Sequence, residues 1–122
     1  MPRSEVVFYK EGDKTPIRDW LKEQSSKVQV KCLAYITQLE AKGHELRRPV
    51  ADFLRQGIYE LRPSHQGVNY RILYFFAGES VVVLSHGLTK QGAVPPAEIA
   101  RAIERKKKFE ADPAGHTYRP GA

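Results

Sequence analysis

Arg62, Arg71 and His86 are residue types suited to a phosphodiester, and the segments carrying them are expected to set them side by side on one β-sheet. A guanidinium is planar, keeps its charge and can hold two phosphate oxygens at once. An imidazole takes or gives a proton near neutral pH. The stretches Ile58 to Arg62, Asn69 to Phe76 and Val81 to His86 are rich in β-branched and aromatic residues and bounded by Gly, Asn or Ser. Each is therefore expected to be a strand. With tight turns centred on Gln66-Gly67 and Gly78-Glu79, Arg71 opposes Arg62 on one side and His86 on the other. Opposed residues share a face, with Cβ atoms about 5 Å apart. Two facing guanidiniums destabilise a sheet unless an anion lies between them. The expected row is thus a phosphate clamp with an imidazole at its end, and Lys90 extends the same face if the last strand continues. A slip of one residue at either turn would move a member of the row to the other face.

Each arginine taken alone is better explained by snorkelling, or by pairing with Glu60 or Glu45. Their register is what favours a clamp. Nearby cations should hold His86 neutral in the free protein, and a bound phosphate should reverse that. Gly87 follows His86 where a backbone could approach a ligand closely. Glu60 falls on the same face by alternation but opposite Leu73, so no carboxylate stands out as a general base. Tyr59 and Tyr74 oppose each other on the other face, where core packing is expected; Tyr70 lies nearer the hairpin end and is a candidate for stacking on a base. Arg101, Arg105, Lys106, Lys107 and Lys108 form a basic helix face that either contacts a phosphate backbone or sits in solvent at a helix C-terminus. His44, His65 and His116 show no metal-ligand spacing, and neither a phosphate-binding glycine loop nor a nucleophile elbow is present. No metal and no cofactor are expected.

The elements that position these residues can be read from punctuation and periodicity. Residues 5–9 suggest a short strand. Thr15-Pro16 opens a helix that runs to about Gln24. Ser25-Ser26 caps a second, with Val28, Cys32, Tyr35, Ile36 and Leu39 at helical spacing and Gly43 as its stop. These two should form a hairpin on one sheet face. Pro95-Pro96 opens a third helix with a stripe of Ile99, Ala102, Ile103 and Phe109. At 122 residues the chain is expected to be one domain over residues 1–110, followed by a flexible tail over 111–122 rich in Pro and Gly. A formal charge of +6 favours an anionic partner. A single cysteine fits a reducing compartment. No signal-like or membrane-length apolar run is present, so a cytoplasmic location with no membrane partner is expected.

Tyr59-Glu60-Leu61-Arg62, Asn69-Tyr70-Arg71-Ile72-Leu73-Tyr74-Phe75-Phe76, Leu84-Ser85-His86-Gly87-Leu88-Thr89-Lys90 and Glu98-Ile99-Ala100-Arg101-Ala102-Ile103 resemble, in order and spacing, the phage-derived, HigB-like branch of the RelE/ParE toxin superfamily. The resemblance covers roughly residues 4–109. It implies a RelE-like α+β fold: an N-terminal helical hairpin packed on a small, mostly antiparallel sheet, with a C-terminal helix. It also implies the toxin of a type II toxin–antitoxin system, which enters the ribosomal A site, cuts mRNA without metal by 2′-hydroxyl transesterification, and is silenced by a helix-turn-helix antitoxin. The family's working residues map onto Arg62 and Arg71, and less directly onto His86 and Lys90. The role that some relatives give to C-terminal residues is not carried over to His116-Thr117-Tyr118. The ParE branch has the same fold but inhibits DNA gyrase without catalysis, so that reading stays open, as does a small RNA-binding module.

Overall fold

A computed structural model describes residues 3–89 and 92–121. The chain runs β1 (Glu5–Tyr9), α1 (Pro16–Lys22), α2 (Ser26–Lys42), β2 (Ala51–Arg55), β3 (Ile58–Leu61), β4 (Ser64–His65), β5 (Val68–Ala77), β6 (Val81–Thr89), α3 (Pro96–Ala111) and β7 (Thr117–Tyr118). It is an α+β fold. The sheet order is β2-β3-β5-β6-β1-β7, with β4 pairing β5. Every pairing is antiparallel except β1 with β6.

The helical hairpin forms as its punctuation suggests. Pro16 occupies the first turn of α1, where its missing N–H costs nothing. Ser25 Oγ accepts from the Val28 amide at the start of α2. Gly43 ends α2 at φ +52°, and a Cβ there would lie 2.5 Å from Ser4 Oγ. Ile17, Leu21, Val28, Cys32, Ile36 and Leu39 pack against Leu61, Ile72, Tyr74 and Leu84 on one sheet face. Helix α3 covers the other, setting Ile99, Ala102 and Phe109 on Val7, Leu73, Phe75 and Val83. Two covered faces explain why β5 reads as a nearly unbroken apolar run.

The first hairpin has the expected register: Tyr59 opposes Tyr74 and Leu61 opposes Ile72. Beyond β3 the same register continues, since the Tyr70 amide donates to the Pro63 carbonyl at 2.9 Å. The second hairpin does not. Ala77 opposes Val81, so its loop holds three residues rather than two. A bulge at Ser85 then adds a second shift, and His86 opposes Leu73 while Arg71 opposes Leu88. Two one-residue shifts in the same direction restore the face but break the row. His86 therefore shares a face with Arg71 without facing it.

The residues expected to form a flexible tail are instead docked through Tyr118. Strand β7 pairs with β1, Phe8 opposite Tyr118 and Tyr9 opposite Thr117. Tyr118 stacks on Phe8 at 5.9 Å and carries Arg18 over its ring at 4.9 Å. His116 stacks on Tyr9 at 5.1 Å and its Nδ1 lies 2.9 Å from the Lys10 carbonyl.

Candidate functional site

Where α3 does not reach, the sheet face opens into a cleft of about 480 Å³. Its floor is Glu60, Arg62 and Arg71; Arg48, Asp52 and Asn69 stand around it, and Leu54 with residues 92–94 makes an apolar wall. Strand alternation explains the floor: 60 and 62 point the same way from β3 and its end, and 71 meets them from β5.

Glu60 is the centre of charge. It is 5% exposed. One carboxylate oxygen accepts from Arg62 Nη1, and the other lies 3.3 Å from Arg71 Nε. The anion expected between the two guanidiniums is thus one of the chain's own carboxylates. Arg71 is 6% exposed and spends Nη1 on the Tyr70 carbonyl at 2.8 Å. Its Nε lies within ion-pair distance of Glu60 yet off the hydrogen-bond axis, so that N–H has no aligned acceptor. Burial, and then Arg62 beside it, pull the Arg71 pKa below its ordinary value. Asp52 opposes Glu60 across β2 and β3. Arg48 Nε holds it at 2.8 Å, and that hydrogen bond keeps its carboxyl below the usual range. Among the described residues lining the cleft, three guanidiniums stand against two carboxylates.

His86 is outside this cleft. It is 6% exposed, under α3. Nε2 lies 3.0 Å from Glu98 Oε1 and Nδ1 2.8 Å from Ser85 Oγ. A carboxylate only accepts, so Nε2 carries the proton and Nδ1 accepts from the serine. Burial, followed by the Arg105 charge, pushes the imidazole pKa from 6.5 to about 4, against a smaller opposing effect of Glu98. Lowering by cations was expected, but desolvation leads. The Ser85 bulge lets Ser85 and His86 both bond to α3, through Arg105 at 3.5 Å and Glu98 respectively. Gly87 serves packing rather than a ligand: a Cβ there would collide with the Trp20 ring.

The other candidates divide. Tyr70 is buried and meets Trp20 edge-on at 6.2 Å, so its ring is not free to stack on a base. Tyr59 and Tyr74 stack at 5.4 Å within the hairpin-side core. The basic face of α3 is largely compensated: Arg101 pairs with Glu98, Lys106 with Glu110 and Lys108 with Glu11. Arg105 lies over the Tyr9 ring at 5.5 Å. Lys107 is exposed and has no acidic partner among the described residues. Lys90 lies outside the described residues. Sequence reasoning missed Arg48, Asp52 and Asn69. None of the three carried a readable signal: Arg48 lies in a turn and Asp52 in β2, where an i, i+4 spacing does not bring side chains together.

Fold and cleft together define a small α+β domain with a recessed cleft, lined by three arginines and two carboxylates, on the sheet face left open by its last helix. The chain belongs to the phage-derived Gp49-like family (DUF891), whose model matches residues 19–107. This family is associated with toxin–antitoxin systems and related to RelE/HigB-type toxins. No curated protein matches the chain. No described helix is long and apolar enough to cross a membrane.

Proposed function

We propose that this chain is the toxin of a type II toxin–antitoxin pair, a HigB-like endoribonuclease that cuts mRNA in the ribosomal A site and is held inactive by a helix-turn-helix antitoxin. The observation that carries the reading is the Arg62–Glu60–Arg71 arrangement on the cleft floor. Cleavage needs a proton acceptor for the 2′-hydroxyl and fixed positive charge for the phosphorane. Glu60 supplies the first once a phosphate draws the guanidiniums towards itself. The 2′-oxygen attacks phosphorus, the bond to the 5′-oxygen breaks, and that oxygen leaves with a proton drawn from solvent. The products are a 2′,3′-cyclic phosphate and a 5′-hydroxyl. Arg62 and Arg71 favour the transition state over the ground state because the phosphorane carries more negative charge. In this reading Arg48 and Asn69, which also line the cleft, bind the flanking RNA. His86 has no direct part; it ties α3 to the sheet and so shapes the cleft.

Brief induction in bacteria followed by mapping of RNA ends tests this. Growth arrest with new mRNA ends carrying 5′-hydroxyls is expected. Arrest with intact mRNA and induction of the DNA-damage response would establish the gyrase reading instead. That second reading has one observation in its favour: His86, the expected proton donor, is buried under α3 and outside the cleft.

A further inference from the structure

Helix α2 carries a second apolar stripe, opposite the one that packs on the sheet. Val30, Ala34, Thr37 and Ala41 recur at spacings of four, three and four, with Leu33 beside them. All five are exposed, Val30 at 67% and Leu33 at 51%. A helix with one buried face ordinarily puts charge at the middle of its outer face. Here there is none between Lys31 and Glu40. Thr37 is no exception, because its hydroxyl already donates to the Leu33 carbonyl at 2.9 Å and burying it would orphan no donor. Ala34 and Ala41 leave a shallow groove between larger neighbours, the relief into which a second helix packs its ridges.

The borders of the stripe differ in charge. Lys27, Lys31, Gln38 and Lys42 follow one side at a matching spacing, and none of the three lysines has an acidic partner among the described residues. On the other side lie Gln29 and Glu40, the latter within 3.7 Å of Arg3. A second copy fits poorly. Antiparallel two-fold pairing sets the lysine border against itself, and parallel pairing sets it against a border whose one acid already has a partner. We propose that the outer face of α2 is a docking surface for an amphipathic helix of a protein partner, with an apolar ridge on Val30, Leu33 and the two alanines and carboxylates along the edge facing Lys27, Lys31 and Lys42. This surface is on the hairpin side of the sheet, away from the arginine cleft, and the inference does not depend on what the cleft does.

The test uses the full chain and synthetic amphipathic helices of about 20 residues, long enough to span the stripe at 1.5 Å per residue. One carries leucines at i, i+3, i+4 spacing with glutamates along one border; a control carries lysines in place of the glutamates. Binding is read by fluorescence polarisation and oligomeric state by sedimentation. The acidic peptide is expected to bind the wild-type chain roughly tenfold or more tightly than the basic one, with affinity falling as salt rises. Leu33→Glu and Val30→Glu, both at exposed positions and checked for folding by melting, are expected to abolish it. Three results would overturn the proposal: no preference between the peptides, binding that survives both substitutions, or a wild-type dimer that Leu33→Glu dissolves, which would make the face a self-association surface.

Discussion

Glu60 lies between Arg62 and Arg71, 3.3 Å from the Arg71 Nε and hydrogen-bonded to Arg62, with all three on the floor of one cleft. This relationship couples the fold to the proposed chemistry. The carboxylate neutralises two guanidiniums that would otherwise repel, and it stands where a substrate phosphate would compete for them.

Arg71→Ala should lower RNA cleavage by about a hundredfold, the loss typical of one oxyanion-stabilising donor. The structure also predicts a stability cost. Glu60 is buried and would keep only Arg62, so a loss of about 1–3 kcal/mol is expected. Arg71→Lys should recover part of both, because a point charge cannot bind two oxygens in a plane. Cleavage assays and thermal melting of the two variants check this. An Arg71→Ala protein that melts as wild type and still cuts RNA would remove Arg71 from the mechanism.

Glu60→Gln separates binding from chemistry. It keeps the shape and removes the competing negative charge. Affinity for a non-cleavable 2′-deoxy dinucleotide should rise by roughly tenfold while cleavage falls by at least as much, through loss of the base. Calorimetric titration and single-turnover cleavage give the two numbers. Weaker binding together with weaker cleavage would mean that Glu60 mainly holds the arginines in place.

His86 should make stability depend on pH. Its folded pKa, about 4, is below its ordinary 6.5, so the unfolded chain binds the proton more readily between those values. The contribution is fully present above about pH 6.5 and is lost as pH falls towards 4; a shift of this size is worth up to about 3 kcal/mol. Urea melts from pH 7 to 4 should show that slope, and His86→Gln should flatten it. A cleavage profile governed by the same titration would contradict the purely structural role given to this residue.

Truncation after Asp112 should lower the melting temperature. It removes the Tyr118–Phe8 stack, the Arg18 contact and the pairing of β7 on β1. An aromatic pair of this kind contributes about 0.5–1.5 kcal/mol beyond buried area. Tyr118→Ala should reproduce most of the loss. Melting curves indistinguishable from wild type would show that the segment adds nothing to the fold.

Much of this protein was determined by local sequence. Thr15-Pro16, Ser25-Ser26 and Pro95-Pro96 mark the helix starts because caps and first-turn prolines act within a few residues. The alternation from Tyr59 to Arg62 fixed which side chains share a face, and with the short turn before Asn69 it set the β3–β5 register. The second hairpin escaped because a three-residue loop and a bulge at Ser85 have no distinctive residue signature, and each moves the partner of His86 by one. Only tertiary packing decided the rest. Helix α3 buried His86 against Glu98, and Trp20 filled the space above Gly87. Glu60 became the anion between the arginines because burial leaves a carboxylate no partner cheaper than a nearby guanidinium. The docking of Tyr118 on Phe8 joins residues 110 apart in sequence, a distance over which no local pattern carries information.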